Sequence, residues 1–226
     1  MLSIGIDKFH NYVLQALDEL KNLEPENMVG EDELDTLKLV KGFIVEAIVK
    51  AHKDAPSYLI DGVKGEQKPA KPEANKDYDF EVSFDSEGKV ATIKMLMECV
   101  RLASIKASDS NYVVSDYAVE DSPIGRMQLD KYVRGTYDDP RLIIKKSLAE
   151  SRTPQFDYYT TKGNTATFTL EYVPYPVEES ETFDISEKVE YAVMSLLTAM
   201  VLDALSYHDK ATLYKNKYQE YLQTAK

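Results

Sequence analysis

The period of the hydrophobic pattern changes along the chain, and this limits the folds open to it. Near both ends apolar residues recur every three or four positions; in the middle they recur every second position. One element cannot serve both periods, so helices must flank strands. In DKFHNYVLQALDELKN, Phe9, Tyr12, Val13, Ala16, Leu17 and Leu20 share one helical face. A second helix is expected from Glu31 to about Lys53, with Leu34, Leu37, Val40, Ile44, Ala47, Ile48 and Ala51 in register. Asp32 and Glu33 suit its positive N-terminal end, and Pro56 follows its last turn. The two helices are expected to pack on each other or on a partner.

Gly62 to Lys76 (GVKGEQKPAKPEANK) keeps neither period. Its Pro, Gly and Lys content predicts an exposed arm or linker. Period two then takes over. YDFEVSF, the turn DSEG and KVATIK read as a β-hairpin. MLMECVRLASIKA fits helix or strand. In EDSPIGRMQLDKYV, Ser122 is a candidate N-cap and Pro123 stands at the first helical position, with Gly135 placed to end the helix. FDYYTT, KGN and TATFTLEYVPY predict a second hairpin. Asp184 and Ser186 are expected to open a long helix to about Tyr207, striped by Val189, Ala192, Val193, Leu196, Leu197, Met200 and Ala204. A final helix carries Tyr214, Tyr218 and Tyr221.

Without βαβ alternation this order predicts an α+β fold. One domain is expected over 1–226: helical at 1–61, arm at 62–76, mainly β at 77–177, helical at 178–226. The N-terminal helices would form a hairpin, the β region would be antiparallel hairpins, and the long C-terminal helices would be the hub.

Chemistry is hard to find. His10, His52 and His208 lie on separate segments without a second ligand one turn away, so no metal site is expected. Glycine-rich phosphate loops and nucleophile elbows are absent, and no cofactor is expected. Cys99 is the single cysteine, so no internal disulfide can form. Asp77 and Asp79 sit at a strand entry. The stretch YVRGTYDDPRLII looks reactive, but Asp138 and Asp139 are adjacent, and neighbouring side chains of an extended segment face opposite ways. They cannot flank one bond as a hydrolytic pair does. No enzyme is expected.

Acidic residues outnumber basic ones by 39 to 27, a net charge of −12, which argues against gripping a phosphate backbone. No run is apolar and long enough to span a bilayer, and no basic-then-apolar leader is evident. Sixteen tyrosines without a tryptophan suit either contact surfaces or half-buried strand positions.

Several stretches together, above all EDSPIGRMQ and KYVRGTYDDP, resemble the head-to-tail connector (adaptor or ring) proteins of tailed bacteriophages. The similarity is greatest to the ring proteins of crAss-like phages. The resemblance implies a structural virion protein, assembled in the host cytoplasm, that forms a homo-oligomeric ring, usually a dodecamer. Portal protein and other tail or ring proteins would be its partners, with DNA passing through the centre unread. Arg134, Tyr137, Asp138 and Arg141 are then the candidate subunit-interface residues. A β-rich, adhesin-like binding module is the alternative.

Overall fold

Asp85 closes the first strand pair. Its backbone carbonyl accepts the Gly88 N–H at 3.0 Å, and its side-chain Oδ1 accepts the Lys89 N–H at 2.7 Å. Gly88 takes φ 65°, which suits glycine, and the chain reverses. Strand β3 (Phe80–Phe84) thereby meets β4 (Val90–Met95) in the antiparallel register Phe80↔Met95, Val82↔Ile93. The expected first hairpin is present.

A computed structural model describes residues 1–23, 33–74, 76–128, 130, 135, 140–145, 152–159, 166–177 and 180–224. The fold is α+β. It divides into two compact units, one of Met1–Ile60 with Pro176–Lys226, the other of Asp61–Tyr175.

In the first unit, β1 (Leu2–Gly5) pairs antiparallel with β10 (Thr182–Ile185), burying Ile4, Phe183 and Ile185. Around this ribbon are α1 (Ile6–Leu23), α2 (Glu33–Asp54), α4 (Glu190–Ala204) and α5 (His208–Thr224). Asp184 lies in β10 and does not open a helix; Ser186 precedes a 3-10 turn, Glu187–Val189, that leads into α4. Helix α4 is buried on nearly every side, from Ala192 to Ala199 without a break, because α1, α2 and α5 all pack on it. It is the hub of this unit. Ser206, at φ 68°, turns the chain from α4 into α5.

Polar groups fix the helices to one another. Ile48 O can only accept and Ser186 N–H can only donate, so buried His52 gives its Nδ1 proton to the first (2.8 Å) and receives the second on Nε2 (3.1 Å). The imidazole is neutral and structural. Tyr218, buried on α5, donates to Asp54 Oδ2 of α2 at 2.8 Å.

The second unit has two sheets. One runs β3-β4-β8-β7-β6, with β6 (Ala118–Val119), β7 (Arg141–Ile144) and β8 (Gln155–Tyr159). The other runs β2-β9-β5, with β2 (Val63–Gly65), β5 (Cys99–Ala107) and β9 (Phe168–Pro174). Both sheets contribute to one core, in which Phe80, Ile93, Leu102, Ile105, Phe156 and Leu170 are fully buried. An isolated bridge, Gln67↔Phe80, links the continuation of β2 to β3, and another, Ile105↔Val114, ties β5 to the segment that leads to β6. The strands thus pack around a core of their own.

One open reading is resolved here, and three expectations change. The ambiguous segment is strand β5, and two register shifts against β9, between Cys99 and Arg101 and between Leu102 and Ser104, erase its period-two signature. The expected second hairpin does not form: β8 lies between β4 and β7, and β9 lies between β2 and β5. Part of the expected arm is a strand, since β2 pairs with β9 through Val63↔Tyr172 and Gly65↔Leu170. Gly62 permits this, because a Cβ there would stand 2.7 Å from Tyr172 N. Lys68 to Ala74 form an unbroken exposed run. The one parallel pair among the described strands, β6 with β7, departs from the all-antiparallel expectation.

Candidate functional site

Helix α3 (Pro123–Met127) is short, and its sequence specifies each of its ends. Ser122 Oγ accepts the Gly125 N–H at 3.1 Å and donates to Val119 O at 2.6 Å. Pro123 occupies the first turn, where its missing N–H costs nothing. Gly125 is buried because α3 lies directly on the end of β6: a Cβ there would stand 2.3 Å from Val119 O and 2.4 Å from Glu120 O. No larger residue fits that contact.

The helix stops earlier than expected, at Met127, with Gln128 as its C-cap. Gln128 is buried and uses both ends of its amide: Nε2 donates to Ile124 O (3.2 Å) and Oε1 accepts the Gly135 N–H (2.6 Å). Gly135 does not terminate α3. It anchors the chain beyond α3 instead, and a Cβ there would lie 2.8 Å from Arg141 N. EDSPIGRMQ is therefore a set of local constraints that fixes α3 on β6 and Gly135 on β7.

Beside this device lies a groove of about 340 Å³, lined by Tyr112–Ala118, Ile124 and Pro140–Ile143. Tyr112, Val113 and Ile124 are exposed at its rim, as are Val119 and Met127 nearby. Tyr117 is held by an edge-on contact with Phe156 at 5.6 Å. Several exposed apolar side chains gathered in one place mark a contact surface more often than a solvent face. Arg141, one of the four expected interface residues, lines this groove and is exposed. Arg134, Tyr137 and Asp138 lie outside the described residues. Sequence reasoning missed Tyr112, Val113 and Ile124. Their signal was Val113–Val114 in the otherwise polar SDSNYVVSD, a pair no periodic element claims.

Several other titratable groups make contacts within the fold. Asp79 accepts the Glu66 N–H (2.6 Å) and the Tyr172 hydroxyl (2.9 Å), stitching β2 and β9 to the entry of β3. Burial, and then the Asp79 carboxylate, push the Tyr172 phenol up. Burial alone pushes the Cys99 thiol up to about 12, which removes its nucleophilic thiolate near neutral pH. His208 Nδ1 lies 2.7 Å from Asp203 Oδ1, and Lys215 Nζ lies 3.2 Å from Asp203 Oδ2. Those two contacts, His208 first, hold the Asp203 carboxyl below its usual range. Among the described residues no group of three or more His, Cys, Asp or Glu could hold a metal ion, and no helix is long and apolar enough to cross a membrane.

No protein-family model matches the chain, and no curated protein is significantly similar to it.

Proposed function

We propose that the chain is a structural ring component of a tailed-phage head-to-tail connector. Copies associate head to tail around an axis, next to a portal protein and other tail or ring proteins, and DNA passes through the opening. The carrying observation is that EDSPIGRMQ, the stretch on which the resemblance rests most, builds a rigid mount beside a rim of exposed apolar side chains. The Ser122 and Gln128 side chains are spent on capping and anchoring, and such a mount serves binding rather than proton transfer. A heterologous contact repeated by a constant rotation closes a ring. The net charge of −12 keeps a phosphate backbone from adhering to the wall it passes. Arg134, Tyr137, Asp138 and Arg141 are the proposed contact residues, with the Arg134 guanidinium suited to a carboxylate across the boundary.

Native mass spectrometry of the purified chain over a range of concentrations tests this, alone and with the portal protein. Closed oligomers are expected. Arg134→Ala should weaken them by about 2–5 kcal/mol per contact while leaving the monomer's melting unchanged. A chain that stays monomeric in both settings contradicts the reading. The groove carrying Tyr112 and Tyr117 favours one second reading, a β-rich binding module of adhesin type. In that case Tyr112→Ala would abolish binding of an extended ligand and leave a monomer a monomer.

A further inference from the structure

The stretch after β2 is exposed and basic, with Lys68, Lys71 and Lys76 against the one carboxylate of Glu73. Its base is fixed three ways: Lys68 N–H donates to Phe80 O (2.8 Å), Glu73 N–H to the Tyr78 hydroxyl (3.1 Å), and Lys76 pairs with Glu66. Between these anchors the chain bends at Ala70–Lys71, so Pro69 and Pro72 flank a tip with Lys71 at its apex. All of Lys68–Ala74 is exposed, and Lys71 has no ion pair among the described residues. Two prolines already limit the tip's conformations, so docking it would cost little further order.

The groove offers what this tip lacks. Tyr112, Val113 and Ile124 supply apolar surface for the proline rings; exposed Asp116 lines the groove together with Arg141, and Glu120, Asp121 and Arg126 are exposed next to it, three carboxylates against two guanidinium groups. Tip and groove also lie at opposite edges of one sheet. The tip's base is on β3, the groove is on β6 and β7, and four strand spacings, roughly 19 Å measured along the sheet, lie between the edge strands. A tip fixed at its base on one edge does not fill the groove on the other. It can fill the groove of a second copy, and that copy then presents its own tip to a third.

We propose that the Pro69–Pro72 tip of one copy seats in the Tyr112–Ile124 groove of the next, with Lys71 against its carboxylates. This rests on the ring reading and names one of its contacts. It is heterologous, as ring closure requires.

The test is a cysteine pair, Lys71→Cys with Ile124→Cys, in the full chain, treated with a short bismaleimide after sedimentation has established its assembly state. Cys99 is buried and does not compete. The expected result is a denaturing-gel ladder of multimers from the double variant and none from either single variant. Lys71→Glu should weaken association by about threefold to tenfold, and Lys71→Arg should restore it. Rings without a ladder overturn the tip-in-groove contact and leave the ring reading standing. A link within one chain, or dimers from Lys71→Cys alone, overturn it as well. A parent chain that never assembles, with or without portal protein, overturns both.

Discussion

Gly125→Ala is the substitution in which the mount of the proposed interface can be tested with one methyl group. The added Cβ would stand 2.3 Å from Val119 O and 2.4 Å from Glu120 O. Both are backbone atoms, so no side chain can rotate away. Relief to the shortest tolerable separation of 3.0 Å requires α3 and β6 to part by about 0.7 Å, which strains the Ser122 cap and the Gln128 anchor with them. Forced overpacking of this kind costs about 1–3 kcal/mol. With a urea dependence of about 1–3 kcal/mol per molar, the unfolding midpoint of the β unit should fall by roughly 1 M. Hydrogen exchange should speed up at the amides of Gly125 and Gly135, whose acceptors are Ser122 Oγ and Gln128 Oε1. Ile124→Ala is the control: it removes an exposed side chain and should change stability by less than about 0.5 kcal/mol. If Gly125→Ala matched that control in both readouts, α3 would not be seated on β6 as described.

Further outcomes follow from the packing. Leu197→Ala, at a fully buried position of the hub helix α4, should cost about 2–5 kcal/mol in equilibrium unfolding; a loss below about 0.5 kcal/mol would remove α4 as the hub. Replacing residues 69–74 with a Gly/Ser linker should leave melting almost unchanged, whereas replacing all of 62–76 deletes β2 and should destabilise the β unit measurably. Equal melting of the two variants would deny β2 its place in the sheet. Burial raises the phenols of Tyr12, Tyr172, Tyr214 and Tyr218, Tyr214 to about 12, so folding favours their protonated forms. Their contribution is complete below pH 10, the ordinary tyrosine value, and is lost as pH rises through the folded values. Phenolate absorbance should therefore lag behind free tyrosine until alkaline unfolding sets in; titration of all sixteen together near pH 10 would contradict that burial.

What could be read in the sequence was what local chemistry decides. The DSEG turn works through Asp85 and Gly88 within its own few residues, and Ser122 and Pro123 cap α3 from one position away. The helical faces of α1 and α2 stand where the period puts them, with Phe9, Val13, Val40 and Ile44 all fully buried. Partnerships decided at a distance left no such trace. Residues Leu2–Gly5 find β10 nearly the whole chain away. In β5 the register shifts put Val100 and Ala103 out of alternation, and a pattern of period two was no longer there to find. Turn chemistry around Lys162–Asn164 suggested that β8 and β9 pair, but each is a central strand with both edges taken by others. At the candidate site, the motif was visible as a motif. The roles of Gly125 as a backbone contact and Gln128 as the anchor of Gly135 needed coordinates, because both depend on where β6 and β7 run.

The central claim is that this chain is a ring-forming part of a virion connector, and imaging tests it most directly. Cryo-electron microscopy of intact particles, with symmetry imposed only after the rotational order has been measured, should reveal a ring next to the portal into which this chain's helical and β units fit. About twelve copies, near 308 kDa in all for a 25.7 kDa chain, are expected around the DNA axis. Particles whose connector density is fully accounted for by other chains, with this protein absent from their composition, would contradict the account.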